Sequence, residues 1–201
     1  MGRGPSGLQS SGPALVVGLG NPGAEYEATR HNVGAQAVSL LARRGASQLR
    51  SARAMRCLVS EVRIGGRRVT LAFPQTYMND SGAVLAALLR RAGVEDLSSL
   101  FVLHDELDLP SGVVRLKVGG GTAGHNGLRS MAAHLHSLDF ARVRIGIGRP
   151  PGRMDAAAYV LKAPRGEERE VLAGAVETAA DAVEVALSEG VAAAMNRFNA
   201  A

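Results

Sequence analysis

The stretch ALVVGLGNPG, residues 14–23, decides the fold of this chain. Residues 14–20 are a short apolar run ended by the turn sequence Asn-Pro-Gly, which is the pattern of a buried strand. Apolar residues at helical spacing follow over residues 29–44. A buried strand succeeded by an amphipathic helix indicates an α/β domain.

The rest of the chain continues this alternation and adds one hairpin. The apolar runs 56–64 and 67–73 flank Gly65-Gly66, a strong signal of an antiparallel hairpin. Further strands are expected at residues 100–104, 113–118 and 142–147, and helices beginning at Ser81, Asn126 and Glu167. The pattern predicts an α/β fold: a single domain over residues 14–201 whose twisted, mixed β-sheet is covered by helices on both faces. Residues 1–13 are rich in glycine, serine and proline and are expected to be disordered.

The composition excludes several classes of function. Aromatic residues make up 3% of the 201 residues and tryptophan is absent, so stacking of single-stranded bases is not the main binding device. Cys57 is the single cysteine, which excludes an internal disulfide and a thiolate metal site and favours an intracellular protein. No apolar run is long enough to cross a membrane, so no membrane partner is predicted.

The charge distribution points to a polyanionic partner. The formal net charge is +5. Arginine is frequent between residues 43 and 68, where Glu61 is the single acid, whereas residues 167–189 are mainly acidic. Phosphate binding is therefore one interpretation, and a solvated arginine-rich surface is the other.

Three polar residues follow the ends of predicted strands. Asn21 and His31 come after the first strand, and Asp105 ends the strand that begins near residue 100. Ligands of open α/β sheets bind at this edge, so His31 and Asp105 could meet there as a general base and the carboxylate that orients it. The alternatives are a capping or packing histidine and a solvated acidic turn.

Glycine-rich segments suggest other chemistries that the sequence supports poorly. Residues 18–23 match the dinucleotide fingerprint, but Arg43 and Arg44 stand where its ribose-binding acid is required, so no nicotinamide cofactor is predicted. Residues 119–127 hold five glycines but lack the ending of a P-loop, and we interpret them as a mobile gate that presents Asn126. His31, His104, Asp105 and His125 lack the spacing of known metal motifs, so metal-dependent hydrolysis is a distant alternative.

Three further residues are candidates for ligand contacts. If Ser81 caps the helix that follows it, Asn79 is free to bind a ligand amide or hydroxyl. Lys117 and Arg144 lie on predicted strands and are placed to meet phosphate, although either could be an ordinary surface charge.

Several long motifs carry a family resemblance. They are residues 17–23, 29–34, 76–82, 104–108, 119–128 and 144–148. In these motifs the chain resembles the bacterial-type peptidyl-tRNA hydrolases, from residue 15 to about residue 198. The resemblance implies hydrolysis of the ester between a peptide and the 3′-terminal ribose of tRNA, which releases the peptide and recycles the tRNA.

The resemblance also implies how the site is built. It makes His31 the catalytic histidine, Asp105 the acid that orients it, and Asn21 an amide that positions the substrate and stabilises the tetrahedral intermediate. The binding residues that it implies are Asn79 and Asn126 for the peptide backbone and 3′-terminal nucleotide, Tyr26 and Met78 for the channel lining, and Lys117 and Arg144 for the tRNA 5′-phosphate. Arg115 stands where the family often has lysine, which keeps the charge but not the geometry.

The resemblance further implies a monomer that needs no metal and no cofactor. Its partner is peptidyl-tRNA, and the sequence leaves open whether ribosome–nascent-chain complexes are a second partner. It also leaves open whether the compartment is the cytoplasm or the mitochondrion. Two other hypotheses compete: an RNA-binding factor of this fold without activity, and a nucleotide-dependent enzyme that uses the glycine-rich loop. The first predicts tRNA binding without turnover, and the second predicts nucleotide affinity.

Overall fold

One mixed β-sheet organises the molecule. The computed structural model describes residues 12–200, so most of the segment 1–13, for which we predicted disorder, lies outside the described residues. The strands are β1 (Ala14–Gly18), β2 (Arg50–Ala52), β3 (Cys57–Ile64), β4 (Arg67–Pro74), β5 (Leu100–Glu106), β6 (Val114–Val118) and β7 (Ala141–Gly146). They lie in the order β2-β3-β4-β1-β5-β7-β6. β1 is parallel to β4 and β5, and β7 is parallel to β5, whereas β2–β3, β3–β4 and β6–β7 are antiparallel pairs.

Helices cover both faces of this sheet. The α-helices are α1 (Val33–Arg44), α2 (Leu85–Ala92), α3 (Asn126–Leu135), α4 (Ala156–Val160), α5 (Glu167–Glu189) and α6 (Val191–Phe198), and 3₁₀ helices occupy Arg30–Asn32, Arg53–Met55, Met78–Val84 and Leu97–Ser99. One apolar core joins the sheet to α1, α4, α5 and α6, and the other joins it to α2, α3 and the 3₁₀ helix Met78–Val84. The predicted fold, a mixed sheet with helices on both faces, is confirmed.

The first strand lies in the centre of the sheet because every residue of it can be buried. All five residues of β1 are buried, and their side chains alternate between the two cores, with Val16 on one side and Leu15 and Val17 on the other. This is why the strand is apolar throughout rather than alternating.

Two glycines let the following helix lie directly against the sheet. A Cβ atom added to Gly18 would stand 2.3 Å from the carbonyl oxygen of Gly34, and one added to Gly34 would stand 2.2 Å from that of Leu103. No side chain fits at such distances, so α1 begins in backbone contact with β1 and β5. This contact holds the turn Arg30–Asn32, and His31 with it, over the end of β5.

Local structure differs from the sequence prediction at two helix starts. The expected continuous helix over residues 29–44 is a 3₁₀ turn followed by α1. The expected cap at Ser81 is wrong: the helical turn begins at Met78, and the Ser81 hydroxyl donates to the Met78 carbonyl instead. Asn79 therefore lies inside a 3₁₀ helix rather than in a loop.

The structure also shows the environment of the single cysteine and the character of the helices. Cys57 is buried, and burial raises the pKa of its thiol to about 11, so it is not a thiolate nucleophile at neutral pH. Between residues 12 and 200, none of the helices has the length and apolar character needed to cross a bilayer.

Candidate active site

A cleft of about 700 Å³ opens at the carboxyl-terminal edge of β1, β4 and β5. Because these strands are parallel, the loops that follow them meet at this edge. The cleft wall contains seven of the nine predicted site residues: Asn21, Tyr26, His31, Met78, Asn79, Asp105 and Asn126. Lys117 and Arg144 are not part of this wall.

His31 and Asp105 are hydrogen-bonded at the floor of the cleft. The Nδ1 atom of His31 lies 2.9 Å from both carboxylate oxygens of Asp105. Asp105 is 3% exposed, and His31 reaches it from the 3₁₀ turn before α1. The two residues are 74 positions apart in the chain, and the contact between α1 and β5 brings them together.

A second histidine binds the same carboxylate. The Nε2 atom of His125 lies 2.9 Å from Asp105 Oδ1, while its Nδ1 atom accepts hydrogen bonds from the backbone N–H groups of Gly127 and Leu128 at 3.1 and 3.3 Å. Because Nδ1 is an acceptor, the ring proton of neutral His125 must be on Nε2, which donates it to Asp105. His125 is thus also the N-terminal cap of α3.

These bonds determine the proton positions around Asp105. Burial opposes ionisation of the carboxyl group, but His31 and His125 outweigh it by coulombic attraction and hydrogen bonds, and hold the pKa of Asp105 well below its usual range. An ionised Asp105 only accepts hydrogen bonds, so neutral His31 carries its proton on Nδ1. The Nε2 atom of His31 is then the unprotonated nitrogen.

His104 supports the site from the other face of β5. Its Nδ1 atom donates to the carbonyl oxygen of Asp105 at 2.7 Å, and its ring meets the His125 ring edge-to-face, with the centroids 5.0 Å apart. Burial, followed by repulsion from His125, lowers the pKa of His104 to about 3. His104 is therefore neutral at physiological pH.

Asn21 is held so that one end of its amide stays available. Its Oδ1 atom accepts from the backbone N–H of Met78 at 2.8 Å. Its backbone is held by Asn32, which accepts from the Asn21 N–H and donates to the Asn21 carbonyl, both at 2.9 Å. Since Oδ1 is engaged, the Nδ2 group is the donor that Asn21 can offer to a ligand in the cleft.

Two exposed amides flank these buried groups. Asn79 and Asn126 both line the cleft, and neither side-chain amide is hydrogen-bonded to another residue within 12–200. Met78, which is buried, and Tyr26 complete the wall beside them. The cleft therefore combines apolar surface with amide groups able to bind a peptide backbone.

Lys117 and Arg144 lie beside the cleft on the face of β6 and β7 that also carries two more arginines. In the antiparallel register Lys117 is opposite Arg142 and Arg144 is opposite Arg115, so all four side chains are on one face. Arg142 is buried and donates to the carbonyl oxygens of Gly120 and Gly121 at 2.5 and 2.7 Å. Arg144 donates to Glu106 at 3.0 Å, while Lys117 is exposed.

Comparison with known proteins identifies the family. A family model described as peptidyl-tRNA hydrolase matches residues 15–201. The chain belongs to the peptidyl-tRNA hydrolase family. It is 51% identical over 190 residues to a peptidyl-tRNA hydrolase of Nocardia farcinica, a match that covers 94% of this chain and 98% of that protein. It is 50% identical to one of Rhodococcus erythropolis, with 94% and 100% covered.

A solved structure supports the same assignment. The crystal structure of the peptidyl-tRNA hydrolase from Acinetobacter baumannii matches with a TM-score of 0.87 and 38% sequence identity, over 94% of this chain and 96% of that one. The family resemblance noted in the sequence is thereby confirmed.

Two residues of the candidate site were not predicted from the sequence. His125 entered only as a doubtful metal ligand, although its position at the start of a predicted helix is a capping signal. Asn32 stood next to His31 in the motif without a role of its own. Each holds a neighbouring site residue in place, Asp105 and Asn21 respectively.

His31, Asp105 and His125 are also close enough together to share a metal ion. Among residues 12–200, His31, Asp105 and His125 form the cluster whose ligand atoms lie within 4.8 Å of one another. However, the bonds to the α3 backbone keep the proton of neutral His125 on the nitrogen that faces Asp105. Hydrogen bonds thus account for the three groups without a cation.

Proposed function

We propose that this chain hydrolyses the ester between a peptide and the 3′-terminal ribose of tRNA, with His31 as general base. The observation that carries the proposal is the pair of hydrogen bonds on Asp105, from His31 and from His125. They leave His31 Nε2 as the free base, and His31 lines the cleft. A positioned base of this kind accelerates such reactions by about 10²–10⁴-fold.

The reaction needs no covalent intermediate. His31 Nε2 removes a proton from a water molecule while the oxygen of that water attacks the ester carbonyl carbon. The imidazolium forms beside the carboxylate of Asp105, which stabilises it. The Nδ2 group of Asn21 donates to the oxyanion. When the intermediate collapses, the bond to the ribose 3′-oxygen breaks, and the imidazolium returns its proton to that oxygen. The products are a tRNA with a free 3′-hydroxyl and a peptide carboxylic acid, which releases its proton to solvent and becomes a carboxylate.

The exposed amides support recognition of a peptidyl rather than a free aminoacyl group. Asn79 and Asn126 can bind the backbone amides of an acylated amino acid or the 3′-terminal nucleotide. A free aminoacyl-tRNA carries an ammonium group where peptidyl-tRNA carries an amide, so it lacks that partner. Tyr26 and Met78 supply the apolar wall for the acyl chain.

The basic group on β6 and β7 supports binding of the tRNA backbone. We assign Lys117 and Arg144 to the tRNA 5′-phosphate, since both lie on the face that concentrates four cations. Contacts with phosphate make the affinity fall steeply with salt. The protein acts as a monomer on free peptidyl-tRNA or on ribosome–nascent-chain complexes, and its bacterial relatives favour the cytoplasm over the mitochondrion.

The deciding experiment offers the protein an N-acetylated aminoacyl-tRNA and the same tRNA with the free amino acid. We expect deacylation of the acetylated form only, and its near-complete loss in His31→Ala. His136→Ala is the matched control, because His136 is exposed and lies at the far end of α3. Binding of tRNA without turnover by the unaltered protein would favour the inactive RNA-binding factor, and a normal rate in His31→Ala would remove His31 as the base.

A further inference from the structure

The residue that precedes His31 is a buried arginine whose three guanidinium nitrogens all donate hydrogen bonds. Arg30 is 7% exposed. Its Nε atom donates to Glu168 Oε1 at 2.7 Å and its Nη2 atom to Glu168 Oε2 at 2.5 Å, which is a two-pronged ion pair with the first turn of α5. Arginine suits such pairs because its planar fork matches a carboxylate.

The same guanidinium also holds the end of α4. Its Nη1 atom donates to the carbonyl oxygen of Lys162 at 2.8 Å, and the backbone N–H of Arg30 donates to that oxygen at 3.3 Å. The group lies over the ring of Tyr159, 4.3 Å from its centroid, and the Tyr159 hydroxyl donates to the carbonyl of Ile147 at 2.7 Å. Arg30 thus joins three segments: the turn that carries His31, α4 and α5.

α4 forms one wall of the catalytic cleft. The residues of this wall that face the cleft are Asp155, Ala156, Ala157, Val160 and Leu161. A helix of five residues has too few internal hydrogen bonds to be stable by itself, so contacts with the rest of the protein must hold it. Arg30 contacts α4 on the side of the helix that faces away from the cleft. These contacts connect α4 to the residue that precedes His31.

We propose that Arg30 is a positioning residue, which fixes the distance between the α4 wall and His31 so that an acyl group held against that wall meets the catalytic nitrogen. The inference rests on the proposed function. Burial of a guanidinium is costly unless its nitrogens are paired, and here they pair with Glu168 of α5 and with the carbonyl groups at the end of α4. A displacement of about 1 Å between base and substrate can cost about 10²-fold in rate.

Arg44 provides the matched control. It also joins α1 to α5, through Glu177, Asp181 and Glu184 at 2.6, 2.8 and 3.0 Å, but none of these residues lines the cleft. Loss of either arginine removes a link to α5, whereas only Arg30 is linked to α4.

The test compares Arg30→Lys with Arg44→Lys, since lysine keeps the charge but loses the fork and the stacking. We expect kcat for N-acetylaminoacyl-tRNA to fall about 10–100-fold in Arg30→Lys, with KM within about twofold of the unaltered protein, and Arg44→Lys to keep both constants. Hydrogen–deuterium exchange of residues 155–162 should rise in Arg30→Lys and stay unchanged in Arg44→Lys. Glu168→Gln should reproduce both effects more weakly, and it replaces Arg30→Lys if that variant does not fold.

Two results would overturn the proposal. One is an Arg30→Lys or Glu168→Gln variant with unaltered kcat; the other is unchanged exchange of residues 155–162 in both. A chain that never deacylates the substrate would defeat the proposed function instead, and the exchange measurement would still report whether Arg30 holds α4 in place.

Discussion

Asp105→Asn tests the proton arrangement of the site by replacing one carboxylate oxygen with an NH₂ group. An asparagine amide offers one oxygen acceptor and one NH₂ donor. His125 must keep its proton on Nε2, because Gly127 and Leu128 donate to its Nδ1 atom, so it requires the amide oxygen. The NH₂ group then takes the place of Oδ2, 2.9 Å from His31 Nδ1. A protonated Nδ1 would face this group donor to donor, so the tautomer in which Nδ1 accepts from the NH₂ group is favoured. The proton of His31 moves to Nε2, and the base is lost.

The expected fall in kcat follows from the role of His31 as general base. Loss of general-base catalysis lowers kcat by about 10²–10⁴-fold, equivalent to about 3–5 kcal/mol. Single-turnover deacylation of N-acetylaminoacyl-tRNA measures the chemical step, and binding of deacylated tRNA shows whether the RNA surface is intact. Asp108→Asn is the matched control, since Asp108 is exposed and its carboxylate is paired with Arg149. Its activity should not change.

A double variant separates the tautomer argument from simple loss of charge. In Asp105→Asn/His125→Ala the amide is free to turn its oxygen toward His31, which restores the productive tautomer in part. The double variant should therefore be more active than Asp105→Asn alone, although it lacks the cap of α3. The reasoning fails if Asp105→Asn keeps more than about a tenth of the activity, or if removal of His125 brings no recovery.

Three further predictions concern pH, salt and packing. Burial lowers the pKa of His104 from 6.5 to about 3, so between these pH values His104 binds a proton in the unfolded chain but not in the folded one. The free energy of unfolding therefore falls as the pH drops from 6.5 toward 3, by about 1.4 kcal/mol per pH unit. Urea unfolding of His104→Asn should lack this contribution to the pH dependence. Lys117→Ala and Arg144→Ala should each reduce the slope of log Kd for tRNA against log salt concentration by about 1, with kcat retained. Gly34→Ala should lower the free energy of unfolding by more than about 3 kcal/mol, because there is no space for its Cβ atom. Gly174 lies in an open position of α5, so Gly174→Ala should raise the free energy of unfolding by about 1 kcal/mol in the same assay.

The sheet and the contact between His31 and Asp105 could be predicted from the sequence, because the sequence marks the strands and the points where they end. Apolar runs mark strands, and the ends of parallel strands share an edge. The shortest elements could not be predicted from the sequence. β2 and α4 have 3 and 5 residues, too few to show a recognisable periodicity. Contacts from distant residues hold them, such as those of Arg30 with the end of α4.

The start of the helical turn at Met78 was missed for a similar reason. Local propensity favours Ser81 as a cap. In the structure the Oδ1 atom of Asn21, 57 residues earlier, accepts the N–H of Met78 instead. A cap supplied from another part of the chain leaves no local signal, so the boundary could not be predicted from nearby residues.

His125 and Asn21 show how this protein sets the direction of a polar side chain through its backbone. Each satisfies a free N–H group at the start of a helical turn, and helix starts always have such groups. An imidazole or an amide has two distinct ends, so using one end as a cap determines the chemical character of the other. In His125 the remaining nitrogen must donate to Asp105, and in Asn21 the remaining group must donate to the cleft. The helix starts that build the fold thereby also determine which groups donate and which accept in the proposed reaction.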